Sequence, residues 1–397
     1  IAGFYATGSY NTFVGAEAGK GGTTSAPYSS GENNTALGYQ ALTAFTTGGG
    51  NVALGNGAGK ALTTGGSNTI IGSEAQRDEN VQQVAIVGER SGLYNSGNDN
   101  TFVGHEAGRN SGAGTGQVFL GNNAGYADTA SGDIAIGEQA MYAGPTGGGN
   151  YAIGRYTMMD ANAGSTSLSS NSNIAIGQSA MGGTWADAAS NYNVAIGHLS
   201  MDAALNGALY NMAMGYNALG ALTSGDSNVA IGHGAGYSVT TGGNNILIGR
   251  AAGDAHTALE GTVLIGHFAG SAINNNNSNY SVMIGYSAGQ AVTSGIGNNL
   301  IGYYAGRYLS TNGYNTMFGT ETGAHMNGSS NTFIGYYTGR GSSNSAPYGN
   351  GNFNTAVGRQ ALETVFSGSY STAIGYVAGR YATGSYNTFI GSQAGLG

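Results

Sequence analysis

The chain of 397 residues contains no cysteine, which excludes disulfide stapling and thiolate chemistry from this segment and suits an exported protein. Charge is scarce as well: Asp, Glu, Lys and Arg make up 8% of the residues, and the net charge of −8 is spread as single side chains. With no basic stripe to meet phosphates, nucleic-acid binding is not expected. No run approaches the ~18 uninterrupted apolar residues of a membrane span, and no charged-then-apolar leader precedes Ile1, so no membrane contact is expected in this segment. Low charge combined with 76 glycines would argue for a disordered linker in an aperiodic chain.

This chain is periodic. A short phrase returns 22 times, reading NTFVGAEAG from Asn11, NVALGNGAG from Asn51, NVAIGHGAG from Asn228 and NTFIGSQAG from Asn387. Its central glycine stands at Gly15, Gly55, Gly104, Gly177, Gly232, Gly302, Gly391 and fifteen equivalent positions, and 15 of the 21 gaps between them are 16 or 17 residues. A length of 397 would ordinarily suggest two or three globular domains. A period this short, held from end to end, instead predicts one continuous module over 1–397, an all-β parallel β-solenoid of about 22 turns. At ~4.8 Å per turn it would form a rod on the order of 100 Å long.

Each repeat is numbered here from its central glycine as position zero. Position −1 is aliphatic or Met in 21 of 22 repeats, as in Val14, Ile136, Ile231 and Ile301, and position −2 is apolar throughout, as in Phe102, Leu264 and Phe333. Adjacent strand residues point to opposite faces, so both faces are expected to be buried. One is the interior of the turn. The other, expected to be the −2 row from Phe102 through Ala135 and Leu264 to Phe333, needs a partner, because it would otherwise form a long exposed apolar stripe. Self-association follows.

The central glycine marks a corner where the backbone needs positive φ or a close approach. Position +3 is Ala, Ser or Thr without exception and predicts a second short, tightly packed strand. Position +4 is Gly in fourteen repeats but Leu or Met in seven, among them Met141, Met158, Met181, Met201 and Leu219, which suggests a thicker middle section. Position −4 is Asn in sixteen repeats, including Asn11, Asn51, Asn100, Asn173, Asn228, Asn315 and Asn387. Stacked at the strand spacing, these amides can bond up and down the array as a structural ladder.

Three gaps of 23 residues predict side loops at 20–33, 158–172 and 340–353. Two carry the same SAPY tetrapeptide, at 25–28 and 345–348, and the register persists at that offset of 320, Asn34 with Asn354 and Leu54 with Ile374. The opening FYATGSYNTF returns near the end as RYATGSYNTF, so the chain is expected to continue both ways.

Chemistry is harder to find. His105, His198, His233 and His267 share position +1, but the last three are two turns, about 10 Å, apart, whereas a metal sits about 2 Å from each ligand. A shared axis of three chains could form rings of three histidines, yet the same slot holds Arg155, Arg250, Glu138, Tyr286 and Tyr303 and reads as solvent-facing. No calcium-loop pattern occurs. The acids Glu74, Asp78 and Glu79 near Arg77 are the sole candidate for carboxylate catalysis, and a solvated loop explains them better. No enzyme, metal or cofactor is therefore expected. Tyrosine, 26 residues, is frequent at +1 and +2, where it serves either to stack on neighbouring turns or to contact sugars and proteins. Threonine at −3 in nine repeats raises a flat ice-binding array, against which the interruptions by Val, Ile and Met argue.

The phrases NVAIGHGAG, NIAIGQSAM and NYAIGRYTM resemble the head repeats of trimeric autotransporter adhesins over nearly the whole chain, although this repeat is longer. The NTFIGYYTG form is similar to repeats of phage tail-fibre-like proteins. The first resemblance implies a left-handed parallel β-roll assembled as a homotrimer. The expectation is thus an extracellular or cell-surface adhesin stalk or head that meets host or matrix glycans or proteins through many weak contacts. A virion tail-fibre shaft and a polymerised structural filament are the alternatives.

Overall fold

Three residues are all that each strand contains. The computed structural model describes residues 1–22, 28–161, 169–274, 279–341, 349–364 and 367–396, and every regular element among them except a lone 3-10 residue is a strand or bridge. The chain is a parallel β-solenoid that divides into two compact units, Ile1–Gly207 and Ala208–Gly397. The first holds β1 (Thr12–Val14) to β11 (Val194–Ile196), the second β12 (Met212–Met214) to β22 (Thr388–Ile390). Inside each unit every strand pairs in parallel with the next and in the register of the repeat, Ala36 beside Ala53 and Leu37 beside Leu54, or Leu247 beside Leu264 and Ile248 beside Ile265. Of the expected side loops, residues 23–27, 162–168 and 342–348, with most of both SAPY segments, lie outside the described residues.

The turn around each strand is built from left-handed backbone. Among the described residues all 44 non-glycine residues with positive φ fall on three positions, −5, +2 and +4, and the glycines of the remaining repeats fill the same positions. With the central glycine this makes four such residues in every turn. Gly177 shows why position zero is invariant: its φ is +134°, and an added Cβ would lie 2.6 Å from the carbonyl oxygen of Gly197 on the next turn. At +2, by contrast, Tyr156, Leu199, Phe268 and Glu321 all hold φ between 50° and 58°. A left-handed L-residue costs roughly 1–2 kcal/mol, and the stacking hydrogen bonds offset it. The Gln40 N–H at +2 donates to Ala16 O on the preceding turn at 3.0 Å, and the Leu42 N–H at +4 donates to Ala58 O on the following turn at 3.1 Å. These bonds recur along both units. The second strand expected around +3 does not form, because that residue sits between two left-handed neighbours, a sequence of dihedrals no strand can contain.

The faces of the strand are the reverse of the expectation. The −2 row, Phe102, Leu264 and Phe333 included, is buried inside the turn, with only the terminal Phe13 and Phe389 half-buried, whereas the −1 row lies outside, with Val14 54% and Ile136 36% exposed and Ile231 and Ile301 half-buried. In a strand of three residues only the middle one can point inward, and the middle one is −2.

Inside, one slot is shared by two positions. Wherever +4 is Leu or Met, the −2 residue is Ala: Leu42 with Ala36, Met141 with Ala135, Leu219 with Ala213, and so through all seven cases. Wherever −2 is Phe, Leu, Met or Ile, +4 is Gly, with the single exception of Ile70 and Gln76. A Cβ at Gly270 would meet Leu264 Cδ2 at 2.9 Å, so the two side chains claim the same volume. The Leu/Met stretch therefore does not thicken the middle of the chain, as the composition suggests; those side chains fill from the corner what Ala leaves empty on the strand, and all are fully buried.

Leu264→Ala is expected to lower stability by about 2–5 kcal/mol. The double variant Leu264→Ala/Gly270→Leu, which recreates the native pair Ala213 and Leu219, is expected to recover most of that loss in chemical denaturation. A double variant no more stable than the single one would mean that the slot is not shared.

Candidate functional site

The asparagine positions come together inside each unit. In the second unit, the Asn228 N–H and its Nδ2 both donate to Asn211 Oδ1 at 3.0 Å, and Asn245 donates in the same way to Asn228 Oδ1. Asn315 repeats the pattern on Asn298 at 3.1 Å, and Asn173 on Asn150 at 3.1 Å. A second Nδ2 bond closes the turn onto the loop leading to the next strand, Asn51 to Gly65 O at 3.0 Å and Asn100 to Gly114 O at 2.8 Å. The terminal members Asn11 and Asn387 donate to Gly8 O and Gly384 O. Each interior amide is fully buried, so every polar atom must be paired, and the ladder pairs them.

Between β4 (Thr69–Ile71) and β8 (Ile134–Ile136) the interior becomes polar, a feature the sequence did not lead us to expect. At +7, where most turns bury Leu62, Leu222, Val239 or Leu309, three successive turns bury Asn95, Ser111 and Asp128. Gln76 Nε2 donates to Asn95 O at 2.6 Å, and Ser111 Oγ to Asn95 Oδ1 at 3.2 Å. The ladder itself changes at the same level, with Gln117 and Asp133 in place of Asn. Asp133 Oδ1 still accepts from the Asn150 N–H at 2.7 Å, but Oδ2 stands where an amide would donate. Asp133 Oδ2, Asp128 Oδ2 and Gln117 Oε1 are buried without a hydrogen-bond partner. Gly144 on the next turn closes over Asp128, since a Cβ there would lie 2.9 Å from Oδ2.

Desolvation raises the Asp128 carboxyl well above its ordinary range, the neighbouring Asp133 charge adding to it, and desolvation likewise pushes Asp133 up to about 6. No other charge figures among the causes; the two acids face each other. One proton shared between them supplies the missing donor. The visible signal was the departure from Asn at Gln117 and Asp133, but a lone acid at −4 does not reveal that the acid five residues before it, at +7 of the preceding repeat, is also turned inward.

The surface candidates are different in kind. Glu74 is paired with Arg77 at 2.9 Å and with Arg90 at 3.1 Å, and Arg77 reaches Asp78 at 2.8 Å. The bond from Arg90, ahead of the charge of Arg77, holds the Glu74 carboxyl below its usual range, the opposite of what a general acid requires. Glu79 takes no part in this chain of ion pairs. His233 stacks on Tyr216 at 5.0 Å, and His267 on Phe268 at 4.1 Å. Among the described residues no three His, Cys, Asp or Glu side chains are grouped closely enough to hold a metal ion, and no helix is long and apolar enough to cross a membrane. The tyrosines pair locally, Tyr286 on Tyr303 at 5.6 Å and Tyr336 on Tyr337 at 3.9 Å.

The outer strand face carries two parallel rows, −3 and −1. From β7 (Val118–Leu120) to β11 both rows are almost wholly apolar, with Ile134, Tyr151, Ile153 and Ile176 among them, and from β12 to β16 (Val282–Ile284) the same holds, with Met212, Met214 and Ile246. Comparison with protein-family models, with curated proteins and with solved structures returns no match.

Asp133→Asn restores the consensus amide and gives Gln117 or Asp128 a donor. Because the folded carboxyl keeps a proton that the unfolded chain, with its ordinary value of 3.8, has released, stability is full below about pH 4 and falls as pH rises through about 6. Equilibrium unfolding is expected to show the variant more stable at pH 7.5, by an amount on the order of 2–3 kcal/mol, with a flatter dependence between pH 4 and 6. Equal slopes for both proteins would refute the shared proton.

Proposed function

We propose that this chain is a length of extracellular adhesive fibre without enzymatic activity, in which three copies lie side by side and pack through their outer strand faces. The observation that carries the reading is the double apolar row on that face: Ile153 is 38% exposed, and Met212 and Met214 are 42% and 43% exposed, in a chain that buries every −2 residue but the terminal Phe13 and Phe389. Soluble monomers seldom leave such a row open. A flat parallel sheet of three-residue strands also presents these side chains at the regular spacing a sister copy shares, so identical faces can interdigitate. The resemblance of NVAIGHGAG and NIAIGQSAM to adhesin head repeats supplies the count of three and a left-handed coil. The pairing of Glu74 with two arginines supports a structural role for the densest acid group. In this reading a stiff stack carries many weak contacts to host or matrix surfaces, and their sum gives adhesion. The NTFIGYYTG phrases at Asn331 favour a tail-fibre shaft as the second reading, built on the same lateral packing.

Sedimentation equilibrium at micromolar concentration is expected to give three chains per particle. Lysine at Ile153, Ile176, Met214 and Ile246 together is expected to yield single chains that keep their β-sheet circular dichroism, since these side chains point away from the core. A wild-type monomer would remove the lateral assembly, and a lysine variant that stays trimeric would place the interface elsewhere.

A further inference from the structure

Along the +2 positions of the second unit, two small residues follow one another only at Gly234 and Ala251. Asn217 and Phe268 bound a notch in which two successive turns carry Gly234 and Ala251 instead of larger side chains. The notch has a volume of about 320 Å³, within the range of small-molecule sites. Its floor is the two small residues. Its sides come from +1 and +5: Arg250 on one, Tyr237 and Asp254 on the other. None of its lining comes from the −3 and −1 rows of the strand face.

Three features of this notch are those of a recognition site. Arg250 is exposed and makes no ion pair; its guanidinium stands 5.6 Å from the centre of the Phe268 ring. Arg77, Arg90, Arg109, Arg155, Arg340 and Arg380 are all paired with carboxylates, so Arg250 differs from most arginines of the chain. A second cleft in the same unit, lined by Tyr304 and Tyr308, has its Arg340 paired with Glu321 at 2.8 Å and its Arg307 engaged with Gln290 Oε1 at 3.0 Å. Asp254 is half-buried in the notch and its carboxyl is raised by desolvation, with no arginine among the causes, so the acid and the cation of the notch do not satisfy each other. Tyr237, 49% exposed, and Phe268 offer flat rings to an apolar ring face.

We propose that this notch binds a monosaccharide unit that carries a carboxylate, a sialic or uronic acid residue. Arg250 takes the carboxylate through paired N–H donors. Asp254 accepts from ring hydroxyls or an N-acyl N–H, and the C–H face of the pyranose lies on Tyr237 or Phe268. Gly234 and Ala251 let the ring approach the backbone. As an adhesive contact the site rests on the fibre reading above; sugar binding itself does not depend on chain count, so the two fail separately.

N-acetylneuraminic acid, glucuronic acid, glucose and a tetraglutamate peptide are titrated onto the full chain by calorimetry and ligand-observed NMR, with particle mass measured in parallel. One of the two acidic sugars is expected to bind with a millimolar or tighter dissociation constant, at least about 10-fold more tightly than glucose. Arg250→Ala is expected to weaken it about 10- to 100-fold. Ala251→Tyr, which places at +2 the residue that Tyr156, Tyr304 and Tyr337 already hold there in the same left-handed backbone, is expected to abolish binding without changing the melting temperature. If Ala251→Tyr does not fold, Arg250→Ala decides alone, because its exposed side chain supports no ion pair. The proposal is overturned by tighter binding of the peptide, by equal binding of glucose, by no saturation with either acidic sugar at about 10 mM, or by unchanged binding in Arg250→Ala.

Discussion

Stacking makes the backbone of this protein possible. Four residues per turn hold left-handed dihedrals, a conformation that an isolated chain of tyrosines, glutamates and leucines would abandon. Each is held because its N–H, or that of a neighbour, is bonded to an identical peptide one turn away, as Gln40 is to Ala16 and Leu42 to Ala58. The bend and the stack are therefore one cooperative structure. Neither exists in a single repeat, which buries too little apolar surface to offset the ordering of its backbone.

The same repetition rules the interior. A side chain reaches the central slot from the strand at −2 or from the corner at +4, but not from both, so Leu264 requires Gly270 and Leu219 requires Ala213. The amide ladder beside this slot satisfies the buried polar atoms that stacking creates. An acid disturbs it, since an ionised carboxylate accepts but has no side-chain donor for the rung before it. Burial at this rung raises the carboxyls of Asp128 and Asp133, so the stability of the turns around them depends on pH.

The outside of the turn is free of both constraints and there the two kinds of surface separate. From β7 to β16 the strand face is apolar and regular. The corner at +1, +2 and +5 varies from turn to turn, because the left-handed position at +2 holds Gly, Ala, Tyr and Glu in the same backbone. Recognition chemistry can change there without disturbing the stack, and the unpaired Arg250 lies in that region.

The period of 16 or 17, the invariant glycine and the buried asparagines were legible in the sequence, because stacked identical turns impose the same demand on the same slot every time. The solenoid follows from that repetition. Which face of the strand lies inside was not legible: Phe102 and Val103 are both apolar, and only closure of the turn around a three-residue strand turns the first inward and the second out. The left-handed positions were equally hidden, since Tyr, Gln and Leu carry no preference for them and adopt them only under the bonds of adjacent turns. The meeting of Arg250 with Phe268 likewise arises when the stack brings together residues on successive turns, whereas Asp128 and Asp133, five residues apart in one turn, meet because closure of that turn buries both.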